Sequence, residues 1–599
     1  MNSRTTKAVC SLVFVAWLGV SLAALAGMSY TLWWKRDRVL YAGKTVEKQR
    51  AALLGRAGLD PGKVMEAVSR AQSWPANVHY SIKGGGENQS YVKYLLAPAI
   101  PSEVGEYRIV FGKNGVSVDP SGETPPPGLP GSRASALGWV VSLLLISGVG
   151  YGFARCLGKT RLSFPEQVAF ALLLVCLLVT ASRAGFGSAL RGMQLTALIG
   201  CAGCLGFGVD LLRKGKVCRA SRERHGPEAM QECDGPVLRT IFRGWIPACF
   251  LVLALSAALS GCLATVVVPD DWDAWAIWGP KAKVLAVGEG SLADVTHFGH
   301  ADYPLLWPSV WAFSAWCSGG WEEQWSKGWG SVFLLLVAWQ LGLIVRQNGG
   351  SKRMAWLAAA LFSSVPKAIV VSSWGYAEPA LWLFMVCGFG RLLLLREEPA
   401  VSNAVVLGAL ALGASLTKND GLLFAVLAGC FLPLYAGASR MRLAVVFIAV
   451  FCLLYAPWLV WTRSVMHLGS HVTDSWSLSM EKLRITGRRI LPGLRGAGRI
   501  WLDVQQWGVV LIPLLAWTVV RMFRGPAAAR LAAAFPLLLL GILFSVEVMH
   551  SADIGWQVGA SWDRLTLQAL PLLILSGIVG RKTVHGIAGA DSAPAGEGS

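Results

Sequence analysis

The chain has 599 residues, 54% of them hydrophobic and 15% charged, with a formal net charge of +19. A soluble domain carries about 25% charged residues, so this composition excludes a protein that hides its apolar surface in one aqueous core. The basic balance does not point to nucleic acid either. Lys and Arg collect in short loops between apolar runs, as at Arg213, Lys214, Lys216, Arg219, Arg222, Arg224, Arg239 and Arg243, the pattern of cytoplasmic loops in membrane proteins. No basic helix or aromatic platform of a nucleic-acid-binding kind stands in the polar segments.

In chain order, residues 1–34 form a membrane anchor, with a short basic head (Arg4, Lys7) and an apolar run from Val9 to Trp33. Ala24-Leu25-Ala26 has the form of a signal-peptidase site, but the run is long for a signal core and is read as an uncleaved anchor. Either reading exports the next segment. Residues 35–134 are polar and mixed, and form a small α+β domain and linker outside the cytoplasm. Lys44 to Ala71 reads as helix, Tyr91 to Leu96 and Tyr107 to Phe111 as strands, and Gly122-Glu-Thr-Pro-Pro-Pro-Gly as tether.

Residues 135–243 supply three accessory spans (136–157, 165–182, 191–212) and a basic cytoplasmic loop. Cys201 and Cys204 form a CxxC in Gly/Ala-rich span sequence, where they are small packing residues rather than a redox or zinc pair. The membrane module at 244–580 then runs through spans 244–268, 329–346, 354–372, 379–396, 403–417, 421–437, 443–462, 506–521, 530–548 and 565–580. With the anchor this makes about fourteen spans, each near the length that crosses about 30 Å of hydrocarbon. Arg346, Lys352, Arg353, Arg391, Arg396, Arg440, Arg442, Arg521, Arg524 and Arg581 fall on the cytoplasmic side by span parity, as the charge rule asks. Residues 303–318 are apolar, but a span there would reverse every later loop. They are read as a re-entrant or interfacial helix anchored by Trp307, Trp311 and Trp316. Residues 581–599 form a disordered cytoplasmic tail.

The same parity sends an unusual set of polar residues to the extracytoplasmic face. Asp270, Asp271 and Asp273 come directly after a span. His297, His300 and Asp302 precede the re-entrant helix, Glu378 opens a span, Lys418, Asn419 and Asp420 fill a turn, and Asp563 and Arg564 open the last span. Ionisable groups cost at least about 2.5–3.5 kcal/mol at a span centre, so such groups at span ends face a wet cavity. Each has a plain alternative: Asp273 as a helix cap, Lys418 with Asp420 as a self-paired turn, Arg564 as an interfacial anchor. His297 and His300 at i,i+3 in a Gly-rich loop are weak metal ligands. Gly43-Lys44-Thr45 and Gly158-Lys159-Thr160 lack the leading glycine of a phosphate loop.

Asp271-Trp-Asp-Ala-Trp-Ala-Ile-Trp-Gly-Pro-Lys-Ala-Lys-Val-Leu resembles the acidic first outer loop and juxtamembrane helix of GT-C glycosyltransferases, in the branch of aminoarabinose transferases and protein O-mannosyltransferases. Asp302-Tyr-Pro-Leu-Leu-Trp-Pro stands where that branch begins a second partly embedded helix, Glu378 matches the acid of its next outer loop, and Thr417-Lys-Asn-Asp-Gly is similar to its Thr-Lys-Gly turn. The resemblance covers about 244–580. It departs at Tyr303, where the family has lysine, and it gives no counterpart for 35–134 or the accessory spans.

The resemblance implies a mainly α, polytopic bundle of GT-C type with juxtamembrane helices. It also implies sugar transfer from a polyprenyl-phosphate donor to a glycan, lipid or protein acceptor at the outer face of the cell membrane, with inversion. Asp273, then Asp271, is the candidate base, because the acceptor hydroxyl must lose a proton as it attacks. Lys418 and Arg564 are candidates to neutralise the departing phosphate, a divalent metal being the alternative. Glu378 would orient the acceptor or hold such a metal, and Asp270, His300, Asp302, Tyr303 and Asp420 line the substrate site. Trp272, Trp275, Trp278 and Trp374 are candidates to stack on sugar rings. A transporter or flippase of lipid-linked glycans would use the same cations without a base, but would show internal repeats, and none is evident. A polymerase or ligase of lipid-linked glycans is the third reading.

Overall fold

The computed structural model describes residues 136–578, apart from 157–160, 226–244, 267–270, 288–290, 322, 437–439, 469–479 and 551, together with four strands and a few scattered helical residues before 136. The anchor, the helix expected over Lys44–Ala71 and the tail at 581–599 lie almost wholly outside the described residues.

The four strands are β1 (His79–Lys83), β2 (Ile100–Pro101), β3 (Tyr107–Gly112) and β4 (Gly115–Pro120), in the order β2-β1-β3-β4. β1 is parallel to β2 and β3, and β3 is antiparallel to β4. The strand expected at Tyr107 is present; of that expected over Tyr91–Leu96 only Lys93 is described, and it is helical, while the rest lies outside the described residues.

The rest is helical. α1 (Ala136–Cys156), α2 (Phe164–Phe186), α3 (Leu190–His225) and α4 (Trp245–Val266) come first. α3 continues unbroken to His225, so Arg213 to Arg224 belong to a helix of about 54 Å rather than forming a loop. After α4 the chain makes a π-turn (Ala274–Trp278) into α5 (Gly279–Val287), then reaches α6 (Leu306–Cys317). α7 (Trp329–Gln347) leads to α8 (Lys352–Ser363) and α9 (Pro366–Ser373), a pair bent by 63°. The break arises at Pro366, which has no N–H to continue the ladder. α10 (Glu378–Leu394), α11 (Val401–Thr417), α12 (Asp420–Tyr435), α13 (Arg440–Val460), α14 (Met480–Trp501), α15 (Leu511–Arg524), α16 (Ala527–Met549) and α17 (Ile554–Ile578) complete the bundle.

Among the described residues, 7 helices are long and apolar enough to cross a membrane, or 8 if the bent pair is one span, and α11 and α12 are shorter apolar helices. The chain is therefore an integral, mainly helical membrane protein. Its core centres on α10, whose side chains are almost all buried and which packs against α2, α7, α11, α12 and α17.

Two sequence expectations change in this setting. α6 has 12 residues, about 18 Å, too short to cross. Trp307 and Trp311 are fully buried and Trp316 is half-buried, so the first two pack in the core and do not anchor an interface. The juxtamembrane helix expected after Asp273 is likewise enclosed, with Ala274, Ala276, Ile277, Trp278, Lys281 and Lys283 all buried.

Candidate functional site

The polar residues expected at the span ends converge at one end of the bundle. α10 begins at Glu378 because Gly375, at φ +85°, turns the chain there; a Cβ would lie 2.7 Å from the Trp311 ring. Trp307 fixes that turn by donating its indole N–H to the Gly375 carbonyl at 2.9 Å. α11 and α12 meet in a tight hairpin at Lys418 and Asn419, where Gly421 sits so close to α11 that a Cβ would be 2.0 Å from the Ala414 carbonyl oxygen. These backbone choices bring Glu378 and Lys418 together, Nζ to Oε1, at 2.9 Å.

From that pair a charged network spreads across four segments of chain. Lys418 also meets Asp420 at 3.2 Å, and Asp420 accepts from Gln568 of α17 at 2.8 Å. Arg564 of α17 donates to Asp273 and lies 3.6 Å from Glu378, with its guanidinium 4.8 Å over the Tyr376 ring. Tyr376 donates its hydroxyl to Asp271. Lys367 of α9 pairs with Asp563 at 2.5 Å and stands 5.2 Å over the Trp374 ring. Asn419 donates to Asp302 at 2.7 Å, and Lys281 donates to the His300 carbonyl at 2.5 Å.

Electrostatics derive from this enclosure. Burial opposes the charge on Lys418, but Asp420 and Glu378 outweigh it and hold the ammonium above its usual range. Lys281 has no such pair; burial pulls it down to about 7 against the weaker opposing pull of Asp302. Burial, with the negative charge of Asp273 and Asp271, keeps the Tyr376 hydroxyl protonated and so a donor. Glu378 is fully buried, and its Oε2 has no hydrogen-bond partner among the described residues. A buried carboxylate oxygen left unmatched is costly, and this one adjoins the paired cations.

The expected site residues fall into three groups. Asp271, Asp273, Glu378, Lys418, Asp420 and Arg564 form the network, with Asp302 joined through Asn419. Asp273 makes no capping hydrogen bond to its helix, so the capping alternative fails. Lys418 does pair within its own turn, yet it reaches α10 as well. Arg564 is largely buried and ion-paired, and with Asp563 it lies inside α17, which starts at Ile554, rather than opening a span. His300 and Tyr303 stack at 4.5 Å, with Trp278 behind Tyr303 at 5.5 Å, and Trp272 meets His300 edge-on at 5.9 Å. Trp278 is fully buried and has no face left for a sugar; Trp272 is exposed. His297 is exposed. Asp270 lies outside the described residues. Among the described residues no three His, Cys, Asp or Glu side chains are placed to hold a metal ion.

Lys367, Tyr376 and Gln568 belong to the site but were not candidates from sequence. Lys367 carried a usable signal, an ionisable group within an apolar run, which by default marks function. Comparison of the chain with protein families, curated proteins and solved structures finds no match.

Proposed function

We propose that this protein is a membrane glycosyltransferase of the GT-C kind, taking a sugar from a polyprenyl-phosphate donor at the extracytoplasmic face. The observation that carries the reading is the ion contact of Arg564 with both Asp273 and Glu378. It brings a candidate base and a cation suited to the leaving phosphate into one site.

In this mechanism the acceptor hydroxyl oxygen forms a bond to the anomeric carbon. Its proton passes to the Asp273 carboxylate, with Asp271 as the second choice. The bond from the anomeric carbon to the phosphate oxygen breaks with its electron pair, releasing polyprenyl phosphate and inverting the centre. Arg564, joined by Lys367, neutralises the phosphate as charge develops. Lys418 is enclosed between Glu378 and Asp420, so its part is to hold Glu378 ionised rather than to meet the phosphate. The Oε2 of Glu378, buried in this structure, would accept from the acceptor once substrate opens the site.

The fourteen-span topology with 35–134 outside belongs to the same reading. The test is incubation of the protein in nanodiscs with a panel of polyprenyl-phosphate sugars. Release of polyprenyl phosphate from at least one donor is expected, and Arg564→Gln should raise the donor KM tenfold or more. Movement of intact donor between leaflets with no release would replace the transferase by a flippase.

A further inference from the structure

α14 has three distinct faces and cannot cross the membrane. From Arg484 to Trp501 it carries five arginines and no acid, and each arginine at a span centre costs at least about 2.5–3.5 kcal/mol. The first face is closed against protein. Gly493 and Gly496 pack on Phe544, Val548, Ile554 and Val558, and Arg489 donates to the Ala552 carbonyl at 2.5 Å. Trp501 donates to Thr566 at 2.9 Å and lies 5.7 Å from Trp562. These contacts hold α14 beside the α16–α17 turn, at the same end of the bundle as Asp563 and Arg564.

Among the described residues the other two faces have no protein cover. Ile490, Leu491 and Leu494 are 44%, 57% and 50% exposed and form one strip next to the protein contact. Arg484, Arg488, Arg495 and Arg499 are all exposed and, at about 100° per residue, fall within an arc of about 60° beyond the leucines. An aliphatic strip bordered by a row of guanidinium groups, on a helix about 33 Å long, matches the boundary between acyl chains and phosphates. Span parity places this helix outside, where the loop-charge rule disfavours a cluster of arginines; a binding role for them accounts for the exception.

We propose that α14 is an interfacial helix that docks on the anionic phospholipid of the membrane at the end that holds the Asp273–Arg564 network. Ile490, Leu491 and Leu494 enter the acyl region, and Arg484, Arg488, Arg495 and Arg499 bind phosphate oxygens. The inference requires only that the protein is embedded, and stands whether or not it transfers sugar. It makes the lip beside Arg564 a surface where phosphate groups gather.

The test uses the full chain in nanodiscs of phosphatidylcholine with or without phosphatidylglycerol. In a cysteine-free background, a fluorophore on Leu494→Cys should be quenched several-fold more by acyl-brominated lipid than one on Arg499→Cys, and less by aqueous iodide. Independently, the fourfold variant R484Q/R488Q/R495Q/R499Q should lose at least threefold of the preference for spin-labelled phosphatidylglycerol over phosphatidylcholine. The proposal fails if the Leu494 probe is quenched by iodide and not by lipid. It fails equally if that probe is shielded only by added polyglutamate, which would mean an aqueous acidic partner, or if the fourfold variant keeps its lipid preference.

Discussion

Glu378 and Arg391 stand at the two ends of α10, about 20 Å apart along its axis, and both are buried. At the Arg391 end every guanidinium nitrogen is matched. Arg391 grips both oxygens of Glu166, with Nη2 to Oε2 at 2.6 Å, and reaches Asn403 at 3.1 Å and the Arg161 carbonyl at 2.7 Å. Glu166 also completes the capping box of α2 with Ser163, whose hydroxyl meets Gln340 of α7 at 2.8 Å. At the Glu378 end three cations face more carboxylates than they can neutralise, and one buried oxygen is left over. A closed set of ions fixes α2 to the bundle. An open set, assembled from separate loops, is where a substrate would complete the hydrogen bonds.

Replacing Arg391 by Met breaks the clamp and leaves Glu166 as a buried charge without its partner, which costs about 3–5 kcal/mol. The expected outcome is a clearly lower Tm in detergent with normal turnover per folded molecule. A specific loss of turnover at unchanged Tm would erase the distinction between the two ends. Glu378→Gln tests the other half. A hydrogen bond to a charged group contributes about 1.5–3 kcal/mol, so turnover should fall roughly tenfold to a hundredfold while Lys418 keeps Asp420 and the fold persists. Kinetics equal to wild type would show that Glu378 is a clamp too.

The smallest effect concerns Lys281, held at about 7 against an ordinary 10.5. Between those values the unfolded chain binds a proton that the folded chain does not, so its contribution to stability rises with pH across that window. Below about pH 7 the full cost of the buried charge is present. Lys281→Met removes this dependence, and the Tm gain over wild type should be largest near pH 6 and shrink toward pH 9. A gain independent of pH would mean that the amine is ionised throughout.

Much of this contrast was legible in the sequence. Apolar run lengths and loop charge put Asp271, Asp273, Glu378, Lys418, Asp420 and Arg564 at one end, because parity needs only the order of spans. The clamp was not legible: Glu166 and Arg391 are 225 residues apart, and α2 reads as one accessory span among three, with nothing local to announce its partner. Lys367 stands inside the expected span 354–372 rather than at its end, so the rule that gathers charges at span ends passes it by, although an ionisable group within an apolar run is itself a signal. The tryptophans misled for a different reason. An indole suits a membrane interface and a packed core equally well, and only the enclosure of Trp278, Trp307 and Trp311 separates the two.

The central claim is that the Glu378 end does chemistry with Asp273 as base, and Asp273→Asn addresses it most directly. Asn keeps the size and a hydrogen-bonding oxygen for Arg564 but cannot take the proton. General-base catalysis contributes about 10²–10⁴-fold. In the donor-release assay the variant should therefore bind donor, hold a Tm close to wild type and turn over at least about a hundredfold more slowly. Near-normal turnover by Asp273→Asn, with donor binding intact, would contradict the account.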